Sequence, residues 1–153
     1  MRNQILLVAL LLSGCSAGGD TTTACGSPVL TGPLPAWARA GFGTDGSGIP
    51  HVLGRSGNIV GILFGAPLTA PPAPDRSNKI LWVSQAPVTS GDPLRITAKL
   101  DGATETVTRE VAGGPGPSII DLPRAGCWHL TLTWSGTTET MDLTYQPGAT
   151  RSG

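Results

Sequence analysis

Residues 127–145 alternate apolar and polar side chains with the period of two that a half-buried strand requires. Trp128, Leu130, Leu132 and Trp134 fall on one face, and His129, Thr131 and Thr133 on the other. Ser135-Gly136 suits a tight two-residue turn. Residues 137–145 then return, with Met141, Leu143 and Tyr145 on one face. Such a turn sets Trp134 opposite Thr137, Leu132 opposite Glu139, Leu130 opposite Met141 and Trp128 opposite Leu143. Apolar meets apolar except at Glu139, which is expected near the turn within reach of water.

A second hairpin is expected upstream. Residues 94–100 alternate, Asp101-Gly102 carries a type I′ signal, and residues 103–111 return. This register sets Ile96 opposite Val107 and Thr97 opposite Thr106, leaving one side solvated. Further strands are expected at 59–64, 80–84 and 118–122. About seven short strands separated by turn signals predict an all-β fold, an antiparallel two-sheet sandwich. Residues 25–60 are the least regular; 35–40 suit one helical turn, with Trp37 and Phe42 packing inward. The Pro-rich stretch 66–74 reads as an extended connection. Residues 113–117 form a Gly-Pro loop without the lysine and following helix of a phosphate loop.

The N-terminus has a different pattern. A weakly positive start, Met1-Arg2-Asn3-Gln4, precedes the unbroken apolar run 5–12. That run is short of the ~20 residues a spanning helix needs and has the length of a signal-peptide core. Leu12-Ser13-Gly14-Cys15 follows, and it resembles the lipobox of bacterial lipoproteins. The resemblance implies cleavage between Gly14 and Cys15, a diacylglyceryl group on the Cys15 thiol, further acylation such as palmitate, and anchorage on the outer face of the cell membrane. Two acyl chains hold stably where one holds only marginally. The chain then divides into a lipoprotein signal peptide (1–14), a lipidated cysteine with a flexible tether (15–24), a sandwich domain (25–147) and a disordered tail (148–153).

Composition narrows the functional classes. Only 13% of the 153 residues are charged and the formal net charge is zero, so nucleic-acid binding has no electrostatic basis. With 22 Gly and 14 Pro and little Lys or Glu, long helices are disfavoured and turns favoured. Three cysteines are an odd number for an exported chain until Cys15 is given to lipid. Cys25 and Cys127 then remain as an expected disulfide, which would close a loop of roughly 100 residues and stabilise by about 4–5 kcal/mol in the chain-entropy model.

Residues 121–132 (DLPRAGCWHLTL) and 78–83 (NKILWV) resemble stretches of small exported lipoproteins of Gram-positive bacteria. The resemblance covers roughly the second half of the chain and implies an Ig-like sandwich, with no activity and no catalytic residue to transfer.

Little else carries chemistry. His51 and His129 are the two histidines, and no GxSxG elbow accompanies them; Gly54-Arg55-Ser56-Gly57 lacks that spacing. A blue-copper set would need two His, a Cys and an axial Met. Cys127 and His129 are expected on one face of their strand with Met141 paired on the other, and the loop pattern of such sites is absent. Trp37, Trp82, Trp128 and Trp134 suit packing, with Trp134 the best candidate for exposure and sugar stacking. The acid pairs Glu105/Glu110 and Asp92/Asp101 lack a spacing for joint proton transfer. The expectation is therefore a non-enzymatic, membrane-anchored module with no catalytic residue, metal ligand or cofactor, contacting another envelope protein or polymer. The alternative is a copper, zinc or small-ligand carrier using His51, His129 or Met141, with a hydrolase behind it.

Overall fold

The computed structural model describes residues 25–149. The expected signal peptide, its expected cleavage between Gly14 and Cys15, the expected tether and residues 150–153 lie outside these. Gly148, expected in the tail, still donates its N–H to Ala70 O at 3.0 Å.

Among the described residues, regular structure is β apart from one 3-10 turn at Ala36–Ala38. Nine strands form two sheets: β1 (His51–Leu53), β2 (Ile59–Leu63), β3 (Thr69–Ala70), β4 (Lys79–Ser84), β5 (Leu94–Leu100), β6 (Thr106–Val111), β7 (Pro117–Ile119), β8 (Gly126–Trp134) and β9 (Thr137–Pro147). The expected count of about seven is corrected because β1 and β3 are three and two residues long, too short to display a period. The four-stranded sheet runs β1-β2-β4-β7 and the five-stranded sheet β3-β9-β8-β5-β6. All pairings are antiparallel except β3 with β9, and the five-stranded sheet curls toward a half-barrel. The Pro-rich stretch is accordingly more than an extended connection, since it supplies β3.

The β8–β9 hairpin has the expected register at every position, from Trp134↔Thr137 to Trp128↔Leu143. Ser135 and Gly136 have φ of 45° and 77°, the two positive values that a type I′ turn demands. The β5–β6 hairpin is corrected. Gly102 has φ 69°, but Ser135 is the only non-glycine residue with positive φ among those described, so Asp101-Gly102 makes no type I′ turn. Residues 101–104 form a longer loop, closed by Leu100 N–H donating to Glu105 O at 3.2 Å. Ala98 therefore faces Val107, and Ile96 faces Arg109. A slip of two keeps every side chain on its face, so the burial alternation of β5 survives.

Between the sheets lies the main core, built on Trp82, Trp128, Trp134, Tyr145 and the inward aliphatics of β4, β5, β8 and β9. β2 is buried along its whole length, since a second cluster covers its other side: Leu34 and Ala38 pack on Val60 and Ile62, with Trp37, Phe42 and Ile49 around them. The irregular segment 31–49 is thus a third layer. Trp37 and Phe42 pack against it rather than between the sheets.

Candidate functional site

The principal charged cluster is built on the β8–β9 hairpin. The register that opposes Trp128 to Leu143 also opposes His129 to Asp142 on the other face. His129 Nδ1–H donates to Asp142 Oδ1 at 2.7 Å, and Nε2–H lies 3.2 Å from Asp101 Oδ1 in the β5–β6 loop. Two acceptors on the two ring nitrogens favour the imidazolium. The His129 pKa is accordingly raised, first by the hydrogen bond to Asp142 and then by that to Asp101, against a smaller desolvation effect. The imidazole is half-exposed while Asp142 is buried. Arg55 Nη2 stands 4.0 Å from Asp142 Oδ2, a long and solvent-screened contact.

This cluster holds the start of the domain. Cys25 and Cys127 form a disulfide with Cα atoms 5.4 Å apart. Asp142 N–H donates to Ser27 Oγ at 2.9 Å. Gly26 passes so close that a Cβ there would sit 2.6 Å from Asp142 Oδ2 and push that oxygen aside. The entering chain is bound to β8 covalently and to β9 by hydrogen bond.

A buried carboxylate orienting a histidine is one half of a nucleophile-activating relay. Here Nε2 meets a carboxylate rather than a hydroxyl or thiol. The arrangement is a clamp. Nor does the fold assemble the carrier site weighed from the sequence. Met141 is in the core, on the face opposite His129. His51 is buried in the other sheet, with Nδ1 2.8 Å from Ile49 O.

Glu139 corrects a second expectation. It is only 3% exposed and does not reach water. Ser56 N–H donates to both of its oxygens at 3.0 Å, Asn58 N–H to Oε2 at 3.3 Å and Thr140 N–H to Oε1 at 2.9 Å. The 54–58 loop is wrapped around this carboxylate; a Cβ on Gly54 would fall 2.5 Å from Glu139 Cγ. Ser56, the serine of the Gly-rich turn, contributes its backbone N–H to this anion cradle.

Trp134 is likewise buried at 2% exposure, contrary to its expected exposure, and its indole N–H donates to Ser84 Oγ at 3.0 Å. Trp82 donates to Ser118 Oγ and Trp128 to Arg124 O, so these three form no stacking platform. Glu105 pairs with Arg124, and Glu110 with Arg95 at 3.4 Å across the β5–β6 ladder. A small apolar groove of about 300 Å³ opens between Val29, Pro50, Leu63, Pro67, Leu68 and Leu143.

The Asp142 partnership and the Glu139 cradle are absent from the sequence expectations, for different reasons. The first follows from the hairpin register, which already pairs residues 129 and 142. The second has no sequence signal, because its donors are backbone groups from a loop about 80 positions away. Neither the known protein families, nor the curated proteins, nor the solved structures compared with this chain give a match.

Proposed function

We propose that this chain is a lipoprotein precursor, lipidated on Cys15 and held on the outer face of the cell membrane. Its Ig-like sandwich is a non-enzymatic binding or structural module that contacts another envelope protein or polymer. The observation that carries the reading is Leu12-Ser13-Gly14-Cys15 directly after the apolar run 5–12, in a chain whose other two cysteines are paired with each other. A disulfide suits a compartment outside the cytoplasm.

The Ig-like part of the reading draws on strand order. β2 pairs antiparallel with β4, and between them the chain visits the other sheet, where β3 runs parallel to the last strand, β9. β5-β8-β9 form the antiparallel centre of that sheet, and β4 pairs with β7. This order supports an Ig-like sandwich in which the β2–β3 segment is divided between the sheets, with β1 added at an edge. The curl of the five-stranded sheet and the extra strand are its departures from a plain Ig domain.

Intact-mass analysis of membrane fractions tests the anchor. The expected product begins at residue 15 and carries acyl mass that the Cys15→Ser chain lacks. Recovery of an uncut, unacylated chain from cytosol overturns it. Turnover of any member of an ester, peptide and glycoside panel by the purified protein would overturn the non-enzymatic part.

A further inference from the structure

The strand directions give the domain two distinct ends. Leu63 closing β2, Lys79 opening β4 and Ile119 closing β7 share one end of the four-stranded sheet, through the pairs Leu63↔Ile80 and Lys79↔Ile119. Gly126 opening β8 and the close of β9 share one end of the five-stranded sheet, where Gly126 faces Tyr145. Asn78 joins these two ends: its side chain bonds both backbone groups of Thr69 in β3, at 2.9 Å each, and β3 lies on Gln146 and Pro147. Tyr145 Oη–H, donating to Ile120 O, joins them again. This is the end that carries the Cys25–Cys127 bond. The opposite end carries the Ser135–Gly136 turn and the connections 85–93 and 112–116.

Exposed large apolar side chains are divided unequally between these ends. Among the described residues, Val29, Phe64 and Ile119 are 53%, 48% and 59% exposed at or beside the Cys25 end, and Val88 alone, at 46%, lies at the other. The three are connected. Lys79 pairs with Ile119 and holds its Nζ 5.8 Å from the centre of the Phe64 ring. Leu63, the neighbour of Phe64, lines the same apolar groove as Val29. The charges nearby are mixed rather than basic: Asn78, beside Lys79, donates to the Asp121 carboxylate, Arg109 donates to the Asp121 carbonyl, and Arg124 is taken by Glu105.

We propose that this end of the domain lies against the lipid bilayer, with Phe64, Ile119 and Val29 in the interface and Lys79 among the headgroups. The inference rests on lipidation of Cys15. Ten peptide steps separate Cys15 from Cys25, a reach of at most about 36 Å however the chain runs. That is about the length of β9 itself, at ~3.3 Å per residue over its 11 residues. The Cys25 end is therefore confined to a shallow layer above the membrane, where a weak apolar contact is populated because it has become intramolecular. An aromatic ring beside a lysine suits the water–lipid boundary. Without a basic cluster, the contact needs no anionic lipid.

The test uses the membrane-recovered protein in phosphatidylcholine nanodiscs doped with headgroup nitroxide lipid, read by NMR line broadening. Resonances of Val29, Phe64, Gly65 and Ile119 are expected to broaden several-fold more than those of Val88 and Gly136. Equal broadening at the two ends, or stronger broadening at Val88, overturns the proposal. In the Phe64→Ser/Ile119→Ser chain, broadening at Val29 and Gly65 should fall while the Trp82 and Tyr145 resonances stay in place; unchanged broadening also overturns it. Self-association through this face, seen as a concentration-dependent rise in size with no lipid broadening, assigns the surface to a second copy instead. If mass analysis finds no native acyl group, the anchor reading fails separately. Cys15, the one cysteine outside the disulfide, is then coupled to a maleimide lipid and the same spectra judge the surface alone.

Discussion

Glu139 and Asp142 stand three positions apart on β9, on opposite faces, and both are almost sealed from water, at 3% and 5% exposure. Their charges are met in different ways. Glu139 is held by backbone N–H groups of Ser56, Asn58 and Thr140, donors that never titrate. Asp142 is held by His129, which does titrate, and by a distant Arg55. The inward carboxylate is thus an anchor for a loop, held by donors that carry no titrating proton. The outward one holds His129, most strongly when the imidazole carries its proton, while the start of the domain is held by the Asp142 backbone N–H and by the disulfide. A buried acid is informative only together with the chemistry of its donors.

The most severe way to sharpen this contrast is to remove the covalent link that backs Asp142. The Cys25→Ser/Cys127→Ser chain is expected to lose about 4–5 kcal/mol of unfolding free energy, measured by urea titration, because its closed loop spans 102 positions. Next comes the loop anchor. Glu139→Ala strands the buried N–H groups of Ser56, Asn58 and Thr140 and should cost about 3 kcal/mol. Equal stability of that variant and the parent would mean that the 54–58 loop finds water instead. The smallest effect is the most specific. A histidine whose folded pKa is raised adds stability that is fully present below its unfolded value, about 6.5, and that is lost as pH rises through the folded value. The urea midpoint of the parent should therefore fall as pH climbs through that window. His129→Asn and Asp142→Asn should flatten the slope, while Glu139→Ala should keep it. With the ring half-exposed, the change is expected below about 1 kcal/mol.

The sequence is most legible where period and turn chemistry constrain one another. In β8–β9 a strict alternation of large apolar residues meets a turn that only one loop length satisfies, and each expected pair is found. In β5–β6 the return strand is Thr-rich and half-polar, so packing does not resolve a slip of two, and Asp-Gly fits a longer loop as well as a short one. β1, β3 and the 31–49 layer are written without a period; their place is set by contacts with β2 and β9 that no local window contains. In the candidate site, His129–Asp142 was implicit in the hairpin register. Asp101, Ser27 and the disulfide geometry came only with the folded chain.

The bond between Cys25 and Cys127 also sets a load path. Under the proposed anchorage, tension reaching Cys25 passes through the disulfide into β8, a strand bordered on both sides by β5 and β9. The thin layer over β2 and the four-stranded sheet lie off this direct path. A body dragged by its leash would yield only by shearing its best-paired strand, so the leash ends where the protein is mechanically hardest to open.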